Sequence, residues 1–349
     1  MKISRSKLID DLNKVLPGIG TGTTIMEGAD SVIFSNGNIY SYNSAISVIT
    51  KESEERGLNG IVKAEDFYKC ISGLPSDEIE IIPEESVWKI SDGDINVTMN
   101  LLPKNSIYER FQQLKLGEDW IAIDGADFNL ALVNCSIPSN STEFAGVYID
   151  GKLMYSTNQW VINKFTLKNE YPKMWISSDC MKELLKWKDF NGVQYDKQWI
   201  HFRTENETIF SIRTMNVDKY PIAKISAVID SEKDKASYAD IELTEEFYMA
   251  VKRASAFSNE LDEHEIIKVS FGPEVSVTSS RVSGSYKESV KNMSVDKTFV
   301  LNFDISEILS SEGIMNKLSV IGDSNIDFNT PVRLRLQNDS CIKIFSSIN

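Results

Sequence analysis

A pattern that recurs six times sets the size of the folding unit in this chain. A short run of β-forming residues leads straight into a helix of amphipathic period, and alternating strands follow before the next copy begins. The runs are Lys2–Arg5, Gly60–Lys63, Trp120–Ile123, Met174–Ser177, Asp240–Leu243 and Phe299–Asn302. The helices they feed are Ser6–Leu12, Ala64–Lys69, Gly125–Leu130, Ser178–Leu185, Thr244–Met249 and Asp304–Leu309, with capping-type or acidic residues at or near their starts. Copies begin roughly 55 to 65 residues apart, one supersecondary unit each. Identity between copies is low, so the repeat is one of pattern. Asn36-Gly37, Asp92-Gly93 and Asp150-Gly151 each separate two β-forming runs, which predicts three tight hairpins. Phe271-Gly272 precedes the strand Val275–Val277. Each copy is therefore a short helix set against a small antiparallel sheet, and the fold class is α+β.

Two breaks divide the 349 residues. Lys115–Asp119 is polar and separates the second copy from the third. Ile229–Ala239 is charged, lacks apolar period and reads as a linker. These cuts give three tandem domains, 1–116, 117–229 and 230–349, each holding two copies. With 42% apolar residues each block can bury a core. No stretch approaches the roughly 20 apolar residues of a membrane span, and Met1–Arg5 lacks the apolar run of a signal peptide. A soluble, cytoplasmic protein is expected. Cys70, Cys135, Cys180 and Cys341 stand far apart and only two histidines exist, His201 and His264, so buried free thiols are expected and a zinc site is not.

Catalytic signatures are missing. No phosphate-binding loop of the G-x-x-x-x-G-K-S/T type and no G-x-S-x-G occur. Gly18-Ile19-Gly20-Thr21-Gly22 follows a helix and reads as a loop leaving its C-terminus. Asp92-Gly93-Asp94 falls in a hairpin turn, and Asp124 and Asp127 fall at a helix start, so a metal-assisted hydrolase built on them is a minor alternative. No cofactor is implied. Trp160, Trp175, Trp187 and Trp199 crowd the middle block, as core or as a peptide-docking groove. Net charge is −14, so a nucleic-acid binder of this composition must confine its cations to one face. Lys7, Lys14, Lys69, Lys182, Lys186, Lys188, Lys252, Arg253 and Lys317 fall on five of the six expected helices. If those helices share one side of an assembly, they form a positive lining on a negative protein.

With these features in place, the chain resembles, along its whole length, the bacterial-type DNA sliding clamp, the β-subunit processivity factor of replicative polymerases. Met1–Ile3, the helix to Val15–Gly18, and Ile39–Ala45 follow the order of that family's opening. Leu153–Val161 resembles the family strand that ends in a threonine-aspartate-glycine-histidine-arginine-leucine turn. Phe210–Arg213 followed by Tyr220-Pro221 is similar to the segment leading into the third domain. Val251–Glu260 is the most specific piece, resembling an "RA..LSNE" helix end, and Leu301–Leu309 is similar to the last strand–helix junction. Asn158-Gln159-Trp160 replaces the glycine-histidine-arginine of the partner-pocket turn. The C-terminal methionine-proline strand is replaced by Ile344–Asn349. Such divergence fits a viral or otherwise remote clamp.

The resemblance implies a non-enzymatic closed ring. Two three-domain subunits would join head to tail as a homodimer, encircling duplex DNA and tethering a replicative DNA polymerase, with a clamp loader as a further partner. It implies that Lys7, Lys14, Lys69, Lys182, Lys186, Lys252, Arg253 and Lys317 face DNA. It places a partner-peptide pocket at Met154, Thr157, Trp160, Val161, Ile344 and Phe345, and the dimer interface at Phe257. Trp160 could wall that pocket or plug it. The alternative is a scaffold that keeps the clamp fold and binds only proteins.

Overall fold

The computed structural model describes residues 1–20, 28–54, 56–104, 108–109, 116–136, 144–158, 160–196, 198–261 and 264–348. All six expected strand-to-helix junctions form. Strand β1 (Lys2–Ser4) enters α1 (Arg5–Val15), β5 (Gly60–Lys63) enters α2 (Ala64–Gly73), and β9 (Ile121–Ala122) precedes α3 (Gly125–Cys135). Strand β11 (Ile162–Ser177) runs into α4 (Ser178–Leu184), β15 (Ser237–Glu242) precedes α6 (Glu245–Ser255), and β20 (Phe299–Asp304) enters α7 (Ile305–Leu309). The caps explain where these helices start. Ser4, Thr244 and Asp304 each accept a backbone N–H of the first turn through the side chain. In α1 the buried Leu8, Leu12 and Val15 recur with helical period and fix the inward face.

A further helix, α5 (Ile222–Lys233), corrects the expected linker. Ile225 and Ile229, one turn apart, are buried. The Arg335 guanidinium donates to the carbonyls of Glu232 and Lys233, at 2.7 and 3.0 Å, and so satisfies the helix end.

The chain divides into two units, Met1–Ala126 with Lys182–Met215, and Asp127–Met181 with Asn216–Asn349. The first holds two antiparallel sheets. One has the order β1-β6-β7-β8, with β6 Glu78–Pro83, β7 Val87–Asp92 and β8 Ile95–Asn100. The other has eight strands in the order β5-β2-β3-β4-β14-β13-β12-β9. Its members are β2 (Ser31–Ser35), β3 (Asn38–Tyr42), β4 (Ile46–Lys51), β12 (Phe190–Tyr195), β13 (Trp199–Thr204) and β14 (Ile209–Arg213). Strands of the first and fourth copies meet at the β4–β14 pairing, Ile46 opposite Ile212 and Ile49 opposite Ile209. Phe34, Phe67 and Trp88 pack edge to face at 5.2–5.7 Å in this unit's core.

The second unit holds a six-stranded sheet, β10-β11-β23-β22-β21-β15, with β10 Gly146–Thr157, β21 Lys317–Ile321, β22 Arg333–Gln337 and β23 Cys341–Ser346. Its other sheet runs β16 (Asn259–Leu261), β17 (His264–Phe271), β18 (Val275–Arg281), β19 (Gly284–Val290), and β20 also pairs β17.

Two of the three hairpin signals form turns. Asn36 and Gly37 both take left-handed φ, 51° and 73°, between β2 and β3. Gly93, at φ 60°, turns β7 into β8. Asp150-Gly151 does not make a hairpin. Gly151, at φ 59°, pairs Tyr171 inside the continuous strand β10, and the register shifts on either side of it. The left-handed glycine is used for a β-bulge, because β11 continues past it and supplies partners on both sides.

Candidate functional site

The expected cationic lining divides on inspection. Lys7 and Lys14 lie on α1, Lys69 on α2, Lys182 on α4, and Lys252 with Arg253 on α6. Lys186 and Lys188 fall past the end of α4, and Lys317 opens the strand β21, so these three are not helical. Carboxylates stand against the candidates throughout: Lys7 with Glu54, Lys14 with Asp11, Lys69 with Glu65, Lys186 with Glu183, Lys252 with Glu312, Arg253 with Glu288, and Lys317 with Asp240.

These pairs are of two kinds. Asp11 is fully buried and also accepts from Arg56 at 2.9 Å and from the Ser53 amide at 2.8 Å. Burial alone would raise its carboxyl, but the hydrogen bonds of Ser53, Arg56 and Lys14 outweigh it and hold it below the usual carboxylate range. Glu288 accepts both guanidinium nitrogens of Arg253, at 2.7 and 2.9 Å, and the Tyr286 hydroxyl. These acids are built into the fold. Among the described residues, Glu65, Glu183 and Glu312 hold only their lysines by side-chain hydrogen bonds. The Lys69 hydrogen bond pulls the Glu65 carboxyl down, and Glu65 in turn raises Lys69.

The expected partner pocket falls on β10, β11 and β23 in the second unit. Register decides which of its residues share a face. Thr157 stands opposite Ile162, and Ile162 opposite Ile344, so Thr157 and Ile344 lie on one face. Met154 stands opposite Phe165, and Phe165 opposite Cys341, which shares the alternate face with Lys343 and Phe345. The six candidates are thus not one lining. On the Met154 face, Lys343 reaches Glu307 and Ser310 of the α7 region, and on the Thr157 face Ser226 of α5 hydrogen-bonds the Tyr155 hydroxyl. Met154, Thr157, Val161, Ile344 and Phe345 are all buried, whereas Trp160 is 77% exposed.

The Trp160 position has a local cause that the sequence left unread. The Asn158 side-chain oxygen accepts the amides of Trp160 at 3.0 Å and Val161 at 2.8 Å, which closes an Asx-type turn. Asn158 itself is buried, so the turn is anchored and the indole is carried outward. Gln159 lies outside the described residues. Of the other three middle-block tryptophans, Trp175 and Trp199 are buried in strands, and Trp187 is half-buried, packed on Phe210 at 5.6 Å.

Phe257 follows α6 and is half-buried. The Arg281 guanidinium stands 5.9 Å from its ring, and the ring covers Gly284 at the β18–β19 turn. Asp127 accepts the Lys168 amide at 2.9 Å and Asp92 the Ser76 amide at 2.8 Å, which gives both acids structural work. No group of three or more metal-ligating side chains occurs among the described residues. The four cysteines are free, three of them buried. Of the glycine-rich stretch, Gly18 closes a 3₁₀ turn after α1, while Thr21 and Gly22 lie outside the described residues. No helix among the described residues is long and apolar enough to cross a membrane.

The sequence matches no protein-family model and no curated protein. Solved structures do match, over the full chain. The DNA polymerase sliding clamp of Bacillus subtilis is 18% identical, with a TM-score of 0.73, covering 100% of this chain and 98% of that one. The β subunit from DNA polymerase of Streptococcus pyogenes is 17% identical, with a TM-score of 0.72 and coverage of 100% and 99%. The Helicobacter pylori β clamp, solved bound to a DNA ligase peptide, is 13% identical, with a TM-score of 0.74 and coverage of 100% and 99%. The chain therefore has the DNA sliding-clamp fold.

Proposed function

We propose that this protein is a DNA sliding clamp: a non-enzymatic ring that encircles duplex DNA and tethers a replicative polymerase. The observation that carries the reading is the full-length match to polymerase sliding clamps with TM-scores of 0.71 to 0.74. In this reading the chain contributes three domains, 1–116, 117–229 and 230–349, and two chains close a head-to-tail dimer. A heterologous contact makes a ring only when its rotation closes. The outermost strands β8 and β19 support such a contact, since among the described residues each ends its sheet without a further strand. Phe257 would sit at that interface. Lys7, Lys14, Lys69, Lys182, Lys186, Lys252, Arg253 and Lys317 would face the DNA, and a clamp loader would open the ring in the cytoplasm.

A partner peptide would dock against the exposed Trp160. Exposed apolar anchors of this kind dominate interface energies. The experiment is retention on DNA. Loaded protein should stay on a closed circular plasmid and be lost when the plasmid is linearised, and the protein should elute near twice the chain mass of 39.4 kDa. Equal loss from both DNA forms would overturn the ring.

The second reading, a clamp-fold scaffold for proteins alone, gains from the pairing of candidate cations with acids. It predicts no retention on either DNA and intact peptide docking.

A further inference from the structure

We propose that Glu65, Glu183 and Glu312 are built-in counterions that keep the DNA grip of this clamp weak and only shallowly dependent on salt. The inference rests on the reading that Lys69, Lys186 and Lys252 face DNA. Glu65 and Lys69 are one helical turn apart and exposed, with side-chain exposures of 77% and 71%. Glu183 holds Lys186 through both carboxylate oxygens, at 2.8 and 2.7 Å, with the lysine 64% exposed. Glu312 holds Lys252 at 2.7 Å, and here the pair joins the segment after α7 to α6.

Among the described residues none of the three carboxylates carries another side-chain hydrogen bond, which sets them apart from Asp11, Glu54, Asp240 and Glu288. Their removal leaves no cap or buried network broken. The three lysines are exposed, and their carboxylates are 77%, 25% and 29% exposed; a pair whose cation stands in water is weak enough to open under a passing phosphate. The charge count then differs from that of a free lysine. A lysine that moves from a carboxylate to a phosphate releases counterion from the DNA but must first leave its acid, which costs affinity. Salt loosens the lysine–carboxylate pair as it weakens the phosphate contact, so the two dependences oppose each other and the net salt dependence is shallower than that of a free lysine. A sliding ring benefits, because no contact is strong enough to stall it and topology supplies retention.

The test is equilibrium binding of a short fluorescent DNA duplex by anisotropy, across salt from about 50 to 200 mM. The variant is Glu65→Gln with Glu183→Gln and Glu312→Gln. Affinity should rise roughly 1.5- to 5-fold for each pair released, and the log–log salt slope should steepen, by at most roughly 0.9 per freed lysine. A matched triple, Glu78→Gln with Glu84→Gln and Glu207→Gln, removes the same charge from acids paired with Lys2, Lys89 and Lys51. It should leave the slope unchanged. If both triples act alike, only net charge matters and the proposal falls. A third variant, Lys69→Gln with Lys186→Gln and Lys252→Gln, should weaken binding. No effect of that variant would refute the DNA-facing reading itself. Weakening by the lysine triple with no change from the first glutamate triple would refute the counterion role alone.

Discussion

Lys343 offers the sharpest test of how the second unit is held together. Its side chain is 2% exposed, in the middle of β23, where a charge has little reason to be. All three ammonium protons have partners: the Glu307 carbonyl at 2.7 Å, the Ser310 hydroxyl at 2.8 Å and the Glu307 carboxylate at 2.5 Å. The pair bolts the first turn of α7 onto the sheet. We predict that Lys343→Met leaves the Glu307 carboxylate, itself only 11% exposed, without its cation and costs about 3–5 kcal/mol. That is a large share of the ~5–15 kcal/mol by which domains are stable. Replacing both members, Lys343→Met with Glu307→Leu, should recover most of the loss, because a desolvated pair exchanged for apolar contact is often close to neutral. Urea unfolding followed by tryptophan fluorescence, arranged as a double-mutant cycle, gives the coupling directly. A Lys343→Met protein as stable as the parent would refute the argument. It would mean that the ammonium is hydrated in solution and the Glu307 contact is idle.

His201 is buried, donates to or accepts from Ser211 at 2.8 Å, and burial lowers its pKa against the opposing pull of Asp196. A lowered histidine stabilises the fold above its ordinary value near 6.5 and loses that contribution as pH falls towards the folded-state value. His201→Gln should therefore flatten the stability profile of the first unit between about pH 5 and 7; an unchanged profile would exclude His201 as its source. Gly146 sits at φ 127°, and a Cβ there would strike the Ile176 carbonyl across the β10–β11 pairing. Gly146→Ala should cost more than ~1 kcal/mol in urea unfolding, and a neutral result would show that the strand end can shift. Trp160→Ala should change stability by less than ~0.5 kcal/mol, as expected of an exposed site, while altering the affinity of a polymerase C-terminal peptide measured by calorimetry. Unaltered affinity would move the docking site elsewhere. Phe257→Arg should yield a folded monomer by sedimentation, and a persistent dimer would remove Phe257 from the interface.

The six junctions were readable because their signals are local. A cap such as Thr244, acids in the first turn and an apolar period together specify a helix whatever surrounds it. The failures share the opposite property. Asp150-Gly151 satisfies a turn signal within two residues, yet whether the chain reverses there depends on Tyr171 and the rest of β11 offering partners. The end of α5 is completed by Arg335, about a hundred residues away, while its own last turn is charged enough to pass for a linker. Its neighbourhood in the sequence points Lys317 to a helix, but Glu242 and Gln337, its partners on either side, make it a strand residue.

The charge pattern of the candidate DNA face was half legible for a related physical reason. Glu65–Lys69 and Glu183–Lys186 have helical spacing and could have been read from the sequence as pairs. Lys252–Glu312 and Arg253–Glu288 could not, since α6 meets those acids only in the folded unit. Counting lysines on helices therefore overstates the free positive charge. In the proposed clamp, a passing phosphate would meet a set of cations already paired with carboxylates of differing strength. The bidentate Arg253–Glu288 pair, with Tyr286 on the same carboxylate, should resist exchange, while the Glu65–Lys69 pair should yield most readily. A ring read this way is selective about which of its cations ever touch DNA, and the selection is written in the acids.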